Sequence, residues 1–217
     1  MKKQQCLQNY LDCPMTSEFI LLKQECETLR NLARIDELTE FYNFRYLKNS
    51  LESEMERTRR SGLSTGLIMA DLDHFKRIND TYGHQNGNLA LKEVARIWKS
   101  SIRKIDIPCR YGGEEFIIIL PNSSIYDVIQ TAERLRTGLS SFPFQFNNET
   151  LTLTASFGID EYRGKDIFTV EAFIHRVDRF VLKAKSNGRN QICYDHERIA
   201  PSSAEVTAEE RESLFSK

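Results

Sequence analysis

No apolar run in this chain approaches the ~20 residues that span a bilayer, and no cationic leader with an apolar core opens it. The expectation is a soluble, cytoplasmic protein without a membrane partner. Charge of one sign is also missing. Thirty basic residues stand against 31 acidic ones, a near-neutral balance that argues against bulk binding of nucleic acid. The five cysteines, at 6, 13, 26, 109 and 193, form no CxxC and no Cys/His zinc spacing. An odd, unpatterned set suits free thiols in a reducing compartment. Repeats and low-complexity tracts are absent too. A length of 217 residues leaves room for one substantial domain with extensions.

What the chain does have is Arg110-Tyr111-Gly112-Gly113-Glu114-Glu115-Phe116-Ile117-Ile118-Ile119-Leu120. Two glycines between apolar-rich runs read as strand, tight turn, strand. Adjacent carboxylates at such a turn suit a hard cation held where a bulky anion approaches the backbone. Alone they would be a solvated hairpin tip. A second strand, Gly66 to Asp73, also ends in carboxylates, Asp71 and Asp73, and the solvated-tip reading loses weight.

The rest of the pattern organises around these two strands. Met15, Phe19, Leu22, Cys26, Leu29 and Ala33 follow a 4-3-4-3-4 spacing, which suits a two-stranded coil or packing back on the following domain. A helical stretch opens at Ile35 to Leu38 and covers Phe44 to Ser61, with Asn43 as N-cap. A short helix is expected over 75–80 and a longer one over 88–101, on which Leu89, Leu91, Val94, Ala95 and Trp98 recur at helical spacing. After the acidic hairpin come a helix from Ile125 to Leu139 and a second hairpin. In that hairpin Phe142 to Phe146 pairs through Asn147-Asn148 with Leu151 to Ile159. A helix from Thr169 to Lys185 stops at Gly188, and Gln191 to Tyr194 closes as a strand. The fold class is α/β, with a mixed, mainly antiparallel central sheet flanked by helices. The expected organisation is a helical lead-in over 1–33, a catalytic domain over 34–196 and a polar tail over 197–217. No segment of sensory-domain size precedes Leu32, so the controlling input enters through the lead-in helix or from a longer protein.

From Leu32 to Ile192 the ordered motifs resemble the GGDEF family of diguanylate cyclases in its GGEEF form. They are Asp36-x-Leu38-Thr39, the block from Asp71 to Gly87, Arg103-x-x-Asp106, Gly112 to Phe116, and Ala184-Lys185-x-x-Gly188-Arg189-Asn190. The resemblance implies a palm-like nucleotidyl-cyclase fold, with the lead-in helix as a stalk. It implies a homodimer that condenses two GTP into cyclic di-GMP and two pyrophosphates. Two magnesium ions, or manganese in their place, would be held by Asp71, the Leu72 carbonyl, Glu114 and Glu115, the last two also being the catalytic acids. Phe75 and Lys76 open a helix whose N–H groups cradle phosphate, and Lys185 and Arg189 hold the terminal phosphates. Asn79 and Asn88 read the guanine, with His84 among the same substrate-binding positions. As plain sequence, His84 and His175 are accounted for by capping and surface positions.

Arg103 and Asp106, assisted by Arg134, would form an inhibitory site for the product. An isolated RxxD is more often a surface ion pair. Three departures from the family pattern stand out. Asn88 replaces the usual aspartate, Glu40, Phe41 and Phe44 replace Gly, Leu and Arg at the hinge, and Phe180-Val181-Leu182 replaces Ala-Leu-Tyr. Two other functions remain open: a relaxed-specificity cyclase that also takes ATP, and a non-catalytic cyclic di-GMP receptor.

Overall fold

The structure is a computed structural model and describes residues 19–23, 25, 34–146 and 149–197. Most of the seam residues of the lead-in, the Asn147-Asn148 turn, Cys6, Cys13, Cys26 and the tail from Arg198 lie outside those residues. Residues 19–23 and 25 are helical. The chain divides into two units, Met1–Ile35 and Asp36–Lys217, and the sheet belongs wholly to the second.

Among the described residues of the second unit, four helices, α1 (Phe44–Ser61), α2 (Phe75–Ser101), α3 (Ile125–Ser140) and α4 (Val170–Ser186), are interspersed with seven strands. These are β1 (Thr65–Leu72), β2 (Ile107–Gly112), β3 (Glu115–Leu120), β4 (Phe144–Phe146), β5 (Glu149–Leu151), β6 (Ala155–Tyr162) and β7 (Ile192–Cys193). The main sheet has the order β2-β3-β1-β6-β7. Its pairs are antiparallel except β6 with β7. This is the mixed, mainly antiparallel α/β fold read from the sequence.

Side chains alternate across a strand, and here both faces are apolar. Ile68, Ala70, Leu72, Ile118 and Leu120 join the core under α2 and α3. Leu67, Met69, Ile117 and Ile119 join a second core under α1 and α4. Covering both faces explains why β1 is buried along its whole length. Parity then aims the strand ends: Asp71 continues the Leu67–Met69 row and Glu115 the Ile117–Ile119 row, so both point to the α4 side.

Local chemistry sets the helix ends. Asn43 Oδ1 accepts from the Tyr46 N–H at 3.1 Å and caps α1, and Gly62 ends it with φ 77°. Ser124 and Asp127 form a capping box on α3. Thr169 caps α4. At Gly158 of β6, a Cβ would fall 2.1 Å from the Val177 carbonyl oxygen, so the missing side chain lets α4 lie directly on the sheet.

Three expectations need correction. Residues 37–39 form a turn, and the helix begins only at Phe44. The two helices expected over 75–80 and 88–101 are one element, kinked at Gly83 (φ 83°, ψ 157°) and helical on both sides of it. Asn88 is therefore inside the helix, and Leu89, counted with the apolar face, is 61% exposed. The long return strand is broken as well. β5 pairs with β4 in a separate two-stranded ribbon, and β6 enters the main sheet after an irregular step at 152–154.

Candidate active site

The β2–β3 hairpin closes through Gly113 and Glu114, with Gly112 opposite Glu115 and a bulge at Tyr111. Antiparallel pairing of β1 with β3 sets Asp71 directly opposite Glu115. The Leu72 N–H donates to the Glu114 carbonyl at 3.3 Å, so the end of β1 and the turn are stitched together. Lys185, in the last turn of α4, reaches down to Asp71, Nζ to Oδ2 at 2.5 Å.

Asp71 is buried (7% exposed), and Glu114 and Glu115 are half-buried. Burial pushes the Asp71 carboxyl above its ordinary value despite the Lys185 charge, with Glu114 and Asp73 adding to the rise. Glu115 is raised as well, by burial and then by the Asp71 charge. Crowded carboxylates of this kind are relieved when a cation arrives. Among the described residues no three acidic or thiol or imidazole side chains converge on a ready-made metal cage. Magnesium does not require one, since it binds through one or two carboxylates plus phosphate oxygens and water. The donor set fits that mode. Glu115 also lines a cavity of about 320 Å³ shared with Phe44, Tyr111, His175 and Asp178.

The hairpin turn is held from outside by Arg110. Its Nε and Nη2 donate to the Gly113 carbonyl at 3.0 and 2.9 Å, while Nη1 donates to both oxygens of Asp36 at 3.2 Å. Asp36 also accepts from the Thr39 N–H and hydroxyl, at 2.9 and 2.7 Å. The Asp36-to-Thr39 turn is thereby tied, through Arg110 74 residues further on, to the acidic turn. Sequence reading missed Arg110; an arginine opening the hairpin was the available signal, and its partners were not.

Phe75 is buried at the start of α2, and Lys76 beside it is exposed. His74 precedes them with φ 58° and no side-chain cap, leaving the first N–H groups of the helix unanswered by it. Across the kink, Asn79 packs against Gly87: a Cβ there would meet Asn79 Oδ1 at 1.9 Å. The close approach brings Asn79 beside the backbone that leads into exposed Asn88. His84 is exposed just past the kink. Arg189 is exposed and lies beyond α4, in left-handed backbone (φ 64°), so it does not share a helical turn with Lys185.

Arg103, Asp106 and Arg134 assemble separately, behind α2. Buried Asp106 accepts from the Arg103 N–H at 2.7 Å through Oδ2, and its Oδ1 has no partner. The Arg103 side chain, half-exposed, approaches Asp127 at 3.7 Å, so the surface ion pair with Asp106 that an isolated RxxD would suggest is not formed. Arg134 donates to the Ser101 carbonyl at 2.6 Å and to Thr131. Burial raises the Asp106 pKa against the Arg103 N–H and the two arginine charges. Cys109 and Cys193 are free and buried, and burial pushes the Cys109 thiol up to about 12. No described helix is long and apolar enough to cross a membrane.

Residues 33–191 match the model of the family described as diguanylate cyclase, GGDEF domain. The response regulator PleD of Caulobacter vibrioides is 39% identical over 173 residues, covering 79% of this chain and 38% of that protein. The chain thus spans less than two fifths of the length of the curated relatives it matches first. The crystal structure of the diguanylate cyclase SiaD with its activator SiaC, from Pseudomonas aeruginosa, superposes with a TM-score of 0.72 at 34% identity, over 83% of this chain and 69% of that one. The coiled coil and GGDEF domain of DgcB from Caulobacter crescentus, in complex with c-di-GMP, gives 0.71 at 27% identity, over 83% and 95%. With its acidic hairpin, its sheet order and a match over most of its length, this chain belongs to the GGDEF domain family.

Proposed function

We propose that this chain is a diguanylate cyclase, joining two GTP into cyclic di-GMP with release of two pyrophosphates. Each 3′-hydroxyl attacks the α-phosphorus of the other nucleotide. Two phosphodiester bonds form, two α–β phosphoanhydride bonds break, and each attacking hydroxyl gives up its proton. The observation that carries the reading is Asp71 set opposite Glu115 in one ladder, with Lys185 upon it.

Asp71, the Leu72 carbonyl, Glu114 and Glu115 would hold two magnesium ions, or manganese. When bound, such ions neutralise phosphate charge and lower the pKa of the attacking hydroxyl. Lys185 and Arg189 take the terminal phosphates, and the N–H groups at Phe75 and Lys76 cradle phosphate. Asn79, Asn88 and His84 line the base end. Arg110 keeps the turn in one orientation by gripping the Gly113 carbonyl. One domain presents one GTP, so synthesis requires a homodimer facing head to head, with the 1–33 segment as its stalk, 34–196 as the catalytic domain and 197–217 as a tail. GTP supply makes the cytoplasm the site of action.

Arg103, Asp106 and Arg134 would bind the product and restrain synthesis. A guanidinium can pair with guanine O6 and N7, and Asp106 Oδ1 is an acceptor without a partner, buried in the free protein, that product binding would have to uncover to meet guanine N–H groups. A receptor without activity would need none of Asp71, Glu114, Glu115, Lys185 or Arg189. Relaxed selectivity toward ATP has one favouring observation, Asn88 exposed beside Asn79 where family members carry aspartate. Incubation with GTP, ATP or both, with products identified by mass, separates the three. Cyclic di-GMP from GTP is expected; no dinucleotide from any mixture, with cyclic di-GMP still bound, would establish the receptor.

A further inference from the structure

Asp73 is a buried carboxylate that the proposed chemistry leaves unused. It is 6% exposed and lies two residues past Asp71. Its Oδ1 accepts from the Ser156 hydroxyl at 2.7 Å. Its Oδ2 accepts from the Thr154 hydroxyl at 2.7 Å and from the Asn190 backbone N–H at 3.1 Å. Its own N–H donates to the Thr154 carbonyl at 2.8 Å. Both oxygens are therefore engaged by protein donors on β6, its entry and the loop after α4.

That loop is the unusual part. Gly188, Arg189 and Asn190 run at φ 107°, 64° and 44°, two of them positions where L side chains rarely sit. Something must hold them. The Arg189 N–H donates to the Ala184 carbonyl at 3.0 Å, Arg136 donates to Asn190 Oδ1 at 3.1 Å, and Asp73 takes the Asn190 N–H. Of these, only Asp73 links the loop to the end of the strand that carries Asp71.

We infer that Asp73 is a positioning residue for Arg189: it stations the loop after α4 so that the guanidinium meets the terminal phosphates of a nucleoside triphosphate, and it does not ligate metal. This rests on the reading of Arg189 as a phosphate contact. Every donor Asp73 faces is a hydroxyl or an amide of β6, its entry or the loop after α4, and none comes from the acidic turn.

Asparagine distinguishes the two roles. Its carbonyl oxygen can accept from Thr154 and Asn190, and its amide can donate to Ser156, whose hydroxyl turns round to accept. A metal ligand would lose its charge in that exchange and raise the magnesium requirement; a bracket would keep its hydrogen bonds. The test measures magnesium half-saturation of turnover, and affinity for GMP and for a GTP analogue with a methylene between the α- and β-phosphates. Arg189→Ala comes first and should weaken the analogue about tenfold with GMP unchanged. Asp73→Ala should do the same, Asp73→Asn should stay within about threefold of the parent, and Asp73→Ala should add nothing in the Arg189→Ala background. Asp73→Ser keeps one short acceptor and should fall between, which preserves the test if the alanine variant does not fold. An asparagine variant as damaged as alanine, with a raised magnesium requirement, would make Asp73 a metal ligand and overturn the inference. Full additivity with Arg189→Ala would overturn it too. If Arg189→Ala itself leaves the analogue's affinity unchanged, the phosphate reading of Arg189 falls and takes the Asp73 inference with it.

Discussion

Lys185 Nζ rests 2.5 Å from Asp71 Oδ2, a contact between the last turn of a helix and the end of the central strand. It joins the group proposed for phosphate to the group proposed for metal. In the free protein the lysine answers the charge of a carboxylate that burial disfavours. On the proposed reading Asp71 would hold a divalent ion, whose charge would offset the carboxylate, and Lys185 would hold a phosphate. Asp71 is the buried member of the pair, so removing the Lys185 charge without a replacement cation would leave a buried carboxylate unpaired, a state that costs several kcal/mol.

Glu40 is the residue to change for stability. It stands at φ 59° where family members usually carry glycine, and its side chain is exposed. Left-handed backbone costs a non-glycine residue roughly 1–2 kcal/mol, partly offset by the looser unfolded chain that glycine brings. Glu40→Gly should raise unfolding free energy by about 0.5 kcal/mol in urea titrations. A loss of stability would mean the Glu40 side chain makes a contact worth more than the strain.

The clamp from Asp36 to Arg110 gives a pH signature. Burial alone would raise the Asp36 pKa, but the Thr39 hydroxyl and N–H and the Arg110 charge outweigh it and hold it below the ordinary 3.8. A carboxylate depressed in the folded state adds stability above its unfolded pKa and loses it as pH falls through the folded value. Asp36→Asn should cost about 1 kcal/mol at pH 7. That gap should close as pH drops below the ordinary carboxylate value. A gap independent of pH would show that the charge contributes nothing.

These couplings mark where the sequence stops being legible. The acidic strand ends, the glycine turn and the cap at Asn43 are local signals, readable because each is written within a few residues. Register is not local. Nothing in the chain states that Asp71 faces Glu115, that Lys185 descends on Asp71 from 114 positions away, or that Asp73 fastens the Arg189 loop. The kink in α2 misled for the opposite reason: Gly83 reads as a helix break, yet one non-helical residue suffices to turn the helix, and both halves continue. The return strand after 148 misled because alternation alone cannot show a strand changing sheets between Leu151 and Ala155.

Product control is testable at Arg103. Its exposed 3.7 Å approach to Asp127 should be worth little, so Arg103→Ala should leave stability within about 0.5 kcal/mol. Loss of a bidentate contact to guanine should weaken cyclic di-GMP binding by roughly 1–3 kcal/mol, while initial rates without product stay at the parental level. Equal affinity in calorimetry would remove the assignment.

Base selectivity is testable at Asn88. It lies inside α2, five residues past Gly83, so helix capping does not account for it. An aspartate there accepts from both guanine N1–H and N2–H and leaves adenine N1 unpaired. Asparagine can turn its amide to suit either base, and a site that can do so discriminates less. Asn88→Asp should raise the GTP/ATP ratio of kcat/KM in competition assays. An unchanged ratio would mean the base is read elsewhere.

The acidic turn is the centre of the account, and Glu114→Gln addresses it directly. Glu114 sits at the hairpin tip, half-buried, so the amide should leave the fold and the thermal transition intact. Removing one carboxylate that stabilises transition-state charge should cut cyclic di-GMP synthesis on the order of 100-fold or more at saturating magnesium. Turnover near that of the parent, from a folded Glu114→Gln protein, would contradict the assignment of the chemistry to this turn.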